Sequence, residues 1–153
     1  MSEIDRITAH YDEVMHGSAW HGDPAWQILE GISPEVASTR TVPEAHTIWE
    51  IVMHMIFWEE VATDRLAGKR AGLIEERNFP AMPEATLDNW SKTLDELRDS
   101  NRRFREALAK LDDAKLNDLS AAGKRTFHEE AHGLIEHHVY HLGQIALLKK
   151  ACS

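Results

Sequence analysis

Residues 44–67 (EAHTIWEIVMHMIFWEEVATDRLA) constrain the fold more than any other stretch of the chain. The segment has no Gly or Pro inside it, follows Pro43 and stops at Gly68. Those signals predict one long helix over 44–67. Wound at about 100° per residue, it carries Trp49, Val52 and Ile56 on one side and Ile51, Phe57, Trp58 and Val61 over the rest. A helix that is apolar nearly all round must be enclosed by other helices. The expected architecture is therefore a helical bundle with this segment inside.

The remaining segments supply its neighbours. Ile4, Ile7, Tyr11 and Val14 recur at 3-4-3 spacing, which predicts an amphipathic helix over 3–16, capped by Ser2 and stopped by Gly17. Asp23-Pro24 and Ser33-Pro34 each read as an N-cap followed by an N1 proline, so two short helical turns start there. Trp20 and Trp26 flank Gly22 and are expected to cap the core, with a pocket lining as the alternative. Residues 68–85, with Gly68, Gly72, Pro80 and Pro83 and no period, read as a long crossover loop. Such loops in compact domains are often functional.

Residues 86–112 follow a 3-4 repeat behind the Thr86 cap: Leu87, Trp90, Leu94, Leu97, Asn101, Phe104, Leu108 and Leu111. Asn101, the one polar member, either sets the register or faces a polar cavity. Residues 113–125 are a polar loop, and the last helix begins near Thr126. Four long helical segments without a strand pattern predict an all-α four-helix bundle, one domain over residues 1–153. The crossover implies that the second and third long helices are not simple antiparallel neighbours.

The chain has ten histidines, a number that asks for a chemical reason. His137 and His141, in the run EHHVYHLGQIALLKK, sit one helical turn apart. They share a stripe with Phe127, Glu130, Leu134, Ile145 and Leu148. That stripe is mostly apolar and so faces a core, where an imidazole needs a partner. A metal ion is one such partner; hydrogen bonds to carboxylate or water are the other. His138 lies about 60° off the His141 direction, and spacing alone leaves a His138/His141 pair open. His128 and His132 form another i, i+4 pair, on the opposite side of the helix, and are expected to be exposed or second-layer residues. His54 stands in the middle of the greasy helix with Glu50 one turn before it, again as metal ligands or as a buried hydrogen-bonded pair.

A central His on one helix and a His pair on another suit a metal site in a bundle core. Three His ligands with an open fourth position are the catalytic pattern of zinc, and imidazole also suits nickel, iron and copper. The net charge of −9 and the scatter of Lys and Arg argue against a nucleic-acid surface. No apolar run reaches the ~20 residues that span a bilayer, and the N-terminal MSEIDR lacks a signal core. One cysteine, Cys152, leaves no internal disulfide. A reducing cytoplasm is the expected compartment.

The stretches HTIWEIVMHMIFW (46–58) and HHVYHLGQIALLKK (137–150), with the Trp20-His21-Gly22 elbow, resemble the DinB/YfiT-like superfamily of metal-binding four-helix bundles. The resemblance runs over nearly the whole chain in layout. It implies an up-down-down-up bundle, often dimeric, and carries three metal ligands onto His54, His137 and His141. Characterised relatives include thiol-dependent transferases that use glutathione, mycothiol or bacillithiol, a thiol-dependent isomerase, and proteins assigned as metal-dependent hydrolases. The implied cofactor is a divalent ion, zinc or nickel ahead of iron, with a low-molecular-weight thiol as a cosubstrate.

Three functions then compete. One is a metal-dependent enzyme acting on a small molecule, with Glu50 orienting a ligand, filling a fourth position or serving as base, and Arg65 holding a peptide-like thiol. The second is a non-catalytic metal or small-ligand binding module. The third is a structural bundle whose core histidines are simply hydrogen-bonded.

Overall fold

Strong start signals fix most of the helices. The computed structural model describes all 153 residues. In chain order the helices are α1 (Glu3–Met15), α2 (Ala25–Leu29), α3 (Pro34–Ser38), α4 (Ile48–Leu66), α5 (Glu75–Asn78), α6 (Leu87–Ala109) and α7 (Phe127–Ala151). Helices α1, α4 and α7 each open with a capping box: Ser2 with Asp5, Thr47 with Glu50, and Thr126 with Glu129. In each box the hydroxyl accepts from the third helical N–H, and the carboxylate accepts from the cap N–H. Thr86 caps α6 by accepting from the Asn89 N–H.

The Thr47–Glu50 box also corrects the expected start of the interior helix. It begins at Ile48, not at residue 44, because the box fixes the first turn beyond the Pro43 segment. Pro24, not Asp23, occupies the cap of α2, and the Asp23 carboxylate accepts from Gln27 Nε2 instead. The crossover is not wholly irregular, since it holds the single turn of α5.

Side-chain pairings order the four long helices. Trp49 meets Thr93 and Glu59 meets Asn101, so numbers rise together and α4 runs parallel to α6. His54 meets His137 while Arg65 meets Glu130, so α4 and α7 are antiparallel. Asp12 pairs with Arg105, and Asp113, just after α6, accepts from the Glu3 N–H, so α1 opposes α6. The order is up-down-down-up, an all-α bundle. The crossover exists because two parallel neighbours, α4 and α6, need the chain carried from one end of the bundle to the other.

Tyr11, Trp49, Leu97, Phe104, Ile135 and Leu142 are fully enclosed at the centre of the apolar core. Trp49 and Trp90 donate their indole N–H groups to Thr93 Oγ1 (3.0 Å) and the Ile32 carbonyl (2.8 Å), which satisfies the polar end of each ring. Trp20 departs from both readings of it. It is 100% exposed, neither capping the core nor lining a pocket. Trp26 is half-buried under the Arg98 guanidinium. Leu87 opens the 3-4 repeat but is exposed, while Trp90, three residues on, is buried in the core. No helix is long and apolar enough to cross a membrane.

Candidate metal centre

The antiparallel pairing of α4 and α7 brings three imidazoles to one point. His54 Nε2 lies 3.0 Å from His137 Nε2, and His141 Nε2 lies 3.1 Å from the same atom. His137 and His141 are one turn apart on α7, and His54 comes from the middle of α4. His54 and His141 are buried and His137 is half-buried. The ligand atoms of the three lie within 4.8 Å of one another. Three ligands at ~2.0–2.1 Å around a tetrahedral zinc ion would stand about 3.3–3.4 Å apart, so the trio can close on such an ion with small shifts.

The partners behind the rings decide where the protons sit. His54 Nδ1 is 3.0 Å from the Asn78 carbonyl oxygen, which can only accept. Nδ1 therefore carries the hydrogen, and the lone pair is on Nε2. His141 Nδ1 is 2.6 Å from Gln144 Oε1, and the same logic puts its lone pair on Nε2. His137 has at most one Nε2–H to offer two facing lone pairs, so hydrogen bonding among the three cannot satisfy all of them. A cation at their centre does. His137 Nδ1 is buried without a hydrogen-bond partner, so no acceptor behind the ring fixes its tautomer.

The electrostatics agree with this chemistry. Burial, and then the neighbouring His138, His141 and His54, push the His137 pKa down to about 3. Burial likewise takes His141 down to about 4, against the opposing hydrogen bond with Gln144. Burial also lowers His54, against its contact with Asn78. At neutral pH all three are uncharged, which is the protonation state a metal ligand needs.

The crossover packs directly against the site. Phe79 stacks face to face on His54, with centroids 4.1 Å apart, and on its other face stacks on His46. Trp58 donates its indole N–H to Asn78 Oδ1 (2.9 Å), pinning the residue whose carbonyl fixes His54. Two clefts reach the trio, one at His137 and one at His141. One, of about 430 Å³, touches His137 and has Arg65, Arg125 and Glu130 in its wall. The other, of about 410 Å³, touches His141 and is walled by Val42, Ile51, Phe79 and Leu147. Tyr140, largely exposed, borders both.

The remaining candidates fall elsewhere. Glu50 is not brought to the trio. Its carboxylate accepts from the Thr47 N–H (2.7 Å) and from Arg40 (2.9 Å), because the capping box turns it back towards the start of α4. Arg65 lies in the cleft beside His137, already bonded to Glu130 (2.9 Å) and to the Ala71 carbonyl. His138 is fully buried and points away from the trio, its Nε2 3.3 Å from Glu59 Oε1.

Glu59 escaped the sequence reading. It is fully buried and meets Tyr11, Asn101 and His138, one partner from each of the other three long helices. Burial would raise its pKa, but the His138 contact, with help from its other partners, holds the carboxyl below its ordinary value. Asn101 thus faces a buried carboxylate, the polar-cavity reading of the repeat. Asn78 and Phe79 also went unnoticed, and Gln144 was read only as part of the Leu-Gly-Gln-Ile run that follows His141, without its bond to that ring.

The family model of the DinB superfamily matches residues 19–145, a span that takes in all three histidines. No curated protein and no solved structure matches the chain.

Proposed function

The chain belongs to the DinB superfamily, and from that membership we propose a metal-dependent enzyme that transfers a low-molecular-weight thiol to a small electrophile. His54, His137 and His141 hold the divalent ion, zinc or nickel ahead of iron. The observation that carries the reading is the convergence of three imidazoles, uncharged at neutral pH, through their Nε2 atoms, beside two clefts of unlike character. A divalent ion there supplies Lewis acidity, lowering the pKa of a thiol or a water so that a nucleophile exists at neutral pH.

The chain's own residues do the rest. The His137-side cleft, with Arg65, Arg125 and Glu130, suits the charged groups of a peptide-like thiol. The His141-side cleft, with Val42, Ile51 and Leu147, suits an apolar electrophile. Phe79 and the Asn78 carbonyl hold the His54 ring in place. Hydrolysis by activated water is the alternative reaction. The engagement of Glu50 by Arg40 and Thr47 leaves that carboxylate unavailable as the base for this reaction. A non-catalytic binding module is the alternative to both.

We place the protein in the cytoplasm as a homodimer acting on a small molecule, without nucleic-acid or membrane partners. The net charge of −9 argues against a nucleic-acid surface and the lone cysteine suits a reducing compartment, while the homodimer rests on the family resemblance alone. The test is a screen of metal-loaded protein against common biological thiols with a panel of electrophiles. Turnover that requires both metal and thiol supports transfer. Thiol-independent turnover supports hydrolysis, and metal binding without turnover or thiol affinity supports the binding module.

A further inference from the structure

The up-down-down-up order makes α1 and α7 parallel, so their first turns lie side by side, far from the trio. Glu3 and His10 are seven residues apart on α1, and His128 and His132 are four apart on α7, so each pair shares one face of its helix. These faces meet. The His128 and His132 rings are 4.4 Å apart, His128 Nε2 is 3.8 Å from Glu3 Oε1, and the His10 ring is 6.4 Å from His132. Ligand atoms of Glu3, His128 and His132 all lie within 4.8 Å of one another, and all three residues are partly buried.

We propose that Glu3, His128 and His132 form a second, independent site for a divalent transition-metal ion of the zinc class. This inference does not rest on the proposed reaction. Two imidazoles and one carboxylate are a common donor set for such ions, with the remaining positions left to water. The 3.8 Å between His128 and Glu3 is too long for a hydrogen bond. It is close to the ~3.3–3.4 Å that separates two ligands of one tetrahedral ion. The rings of His128 and His132 make no hydrogen bond to each other although they lie in contact. Both helix N-termini disfavour a cation here, and the Glu3 carboxylate counters them. Bound metal would tie the first turn of α1 to the first two turns of α7, next to the tie that Asp113 already makes to the Glu3 and Ile4 N–H groups.

Zinc titration of metal-stripped full-length protein, read by equilibrium dialysis and elemental analysis, tests this. Wild type should bind two equivalents per chain. The His128→Ala/His132→Ala variant should bind one, and His137→Ala should also bind one, held by the other site. Glu3→Gln keeps the shape of its side chain and should weaken the second equivalent by at least about tenfold. Its metal-free melting temperature serves as the check on folding. A wild type that binds one equivalent, lost in His137→Ala and kept in His128→Ala/His132→Ala, overturns the second site while sparing the trio. A second equivalent that survives His128→Ala/His132→Ala overturns it as well.

Discussion

The tautomers of His54 and His141 are set by two acceptors behind the rings, the Asn78 carbonyl and Gln144 Oε1. That places two lone pairs against His137 and makes the metal-free site short of protons or of a cation. A pH dependence follows. The pKa values of His137 and His141 fall to about 3 and about 4 in the folded chain, against about 6.5 when unfolded. The unfolded chain therefore binds protons first as pH drops. Metal-free protein should keep its full stability above about pH 6.5 and lose it progressively towards about pH 4. Urea unfolding at stepped pH should show this, with a shallower loss in His137→Ala. The buried Glu59 gives a second prediction. Glu59→Ala leaves Tyr11, Asn101 and His138 without their shared partner, and each orphaned buried group costs about 1–3 kcal/mol. Chemical denaturation should record a loss of at least about 2 kcal/mol. His138→Ala removes a contact to Glu59 and none to the trio, so it should lower stability while leaving most of the metal affinity.

Among the elements, the crossover carries more of the site than its irregular sequence suggests. Phe79 covers one face of His54, and the Asn78 carbonyl holds its Nδ1. Phe79→Ala should leave the bundle folded, since this aromatic lies outside the central core, yet weaken metal binding by about 10–100-fold by freeing the His54 ring. Competition with a chromophoric chelator measures that loss, and circular dichroism checks the fold. The helices themselves were legible because their signals are local: a 3-4 repeat, Ser2, Thr86 and a His pair at i, i+4. The start of α4 was misplaced because Pro43 drew the boundary away from the Thr47–Glu50 box. The same box takes Glu50 away from His54, His137 and His141 and leaves it beside His46 instead. A backbone carbonyl such as that of Asn78 leaves no mark in a sequence. Glu59 was invisible for another reason: nothing local sets it apart from its neighbour Glu60, and only tertiary packing sets its three partners around it.

At the scale of the whole molecule, the up-down-down-up order accounts for both histidine clusters. Antiparallel α4 and α7 cross at the level of His54 and His137, and parallel α1 and α7 bring Glu3 beside His128. The layout follows from local period, a long crossover and a resemblance, and all three could be read before any coordinates. Which faces meet could be read only in part, since the apolar surface of α4 covers nearly all its sides. The central claim is that His54, His137 and His141 act as one metal centre. Its most direct test is cobalt or zinc titration of the His128→Ala/His132→Ala variant, in which the second cluster is removed. One equivalent per chain should bind, with the visible spectrum of tetrahedral cobalt, and adding any one of His54→Ala, His137→Ala or His141→Ala should abolish most of that affinity. An equivalent that persists in all three of those variants, or no binding before any of them is made, would contradict the account.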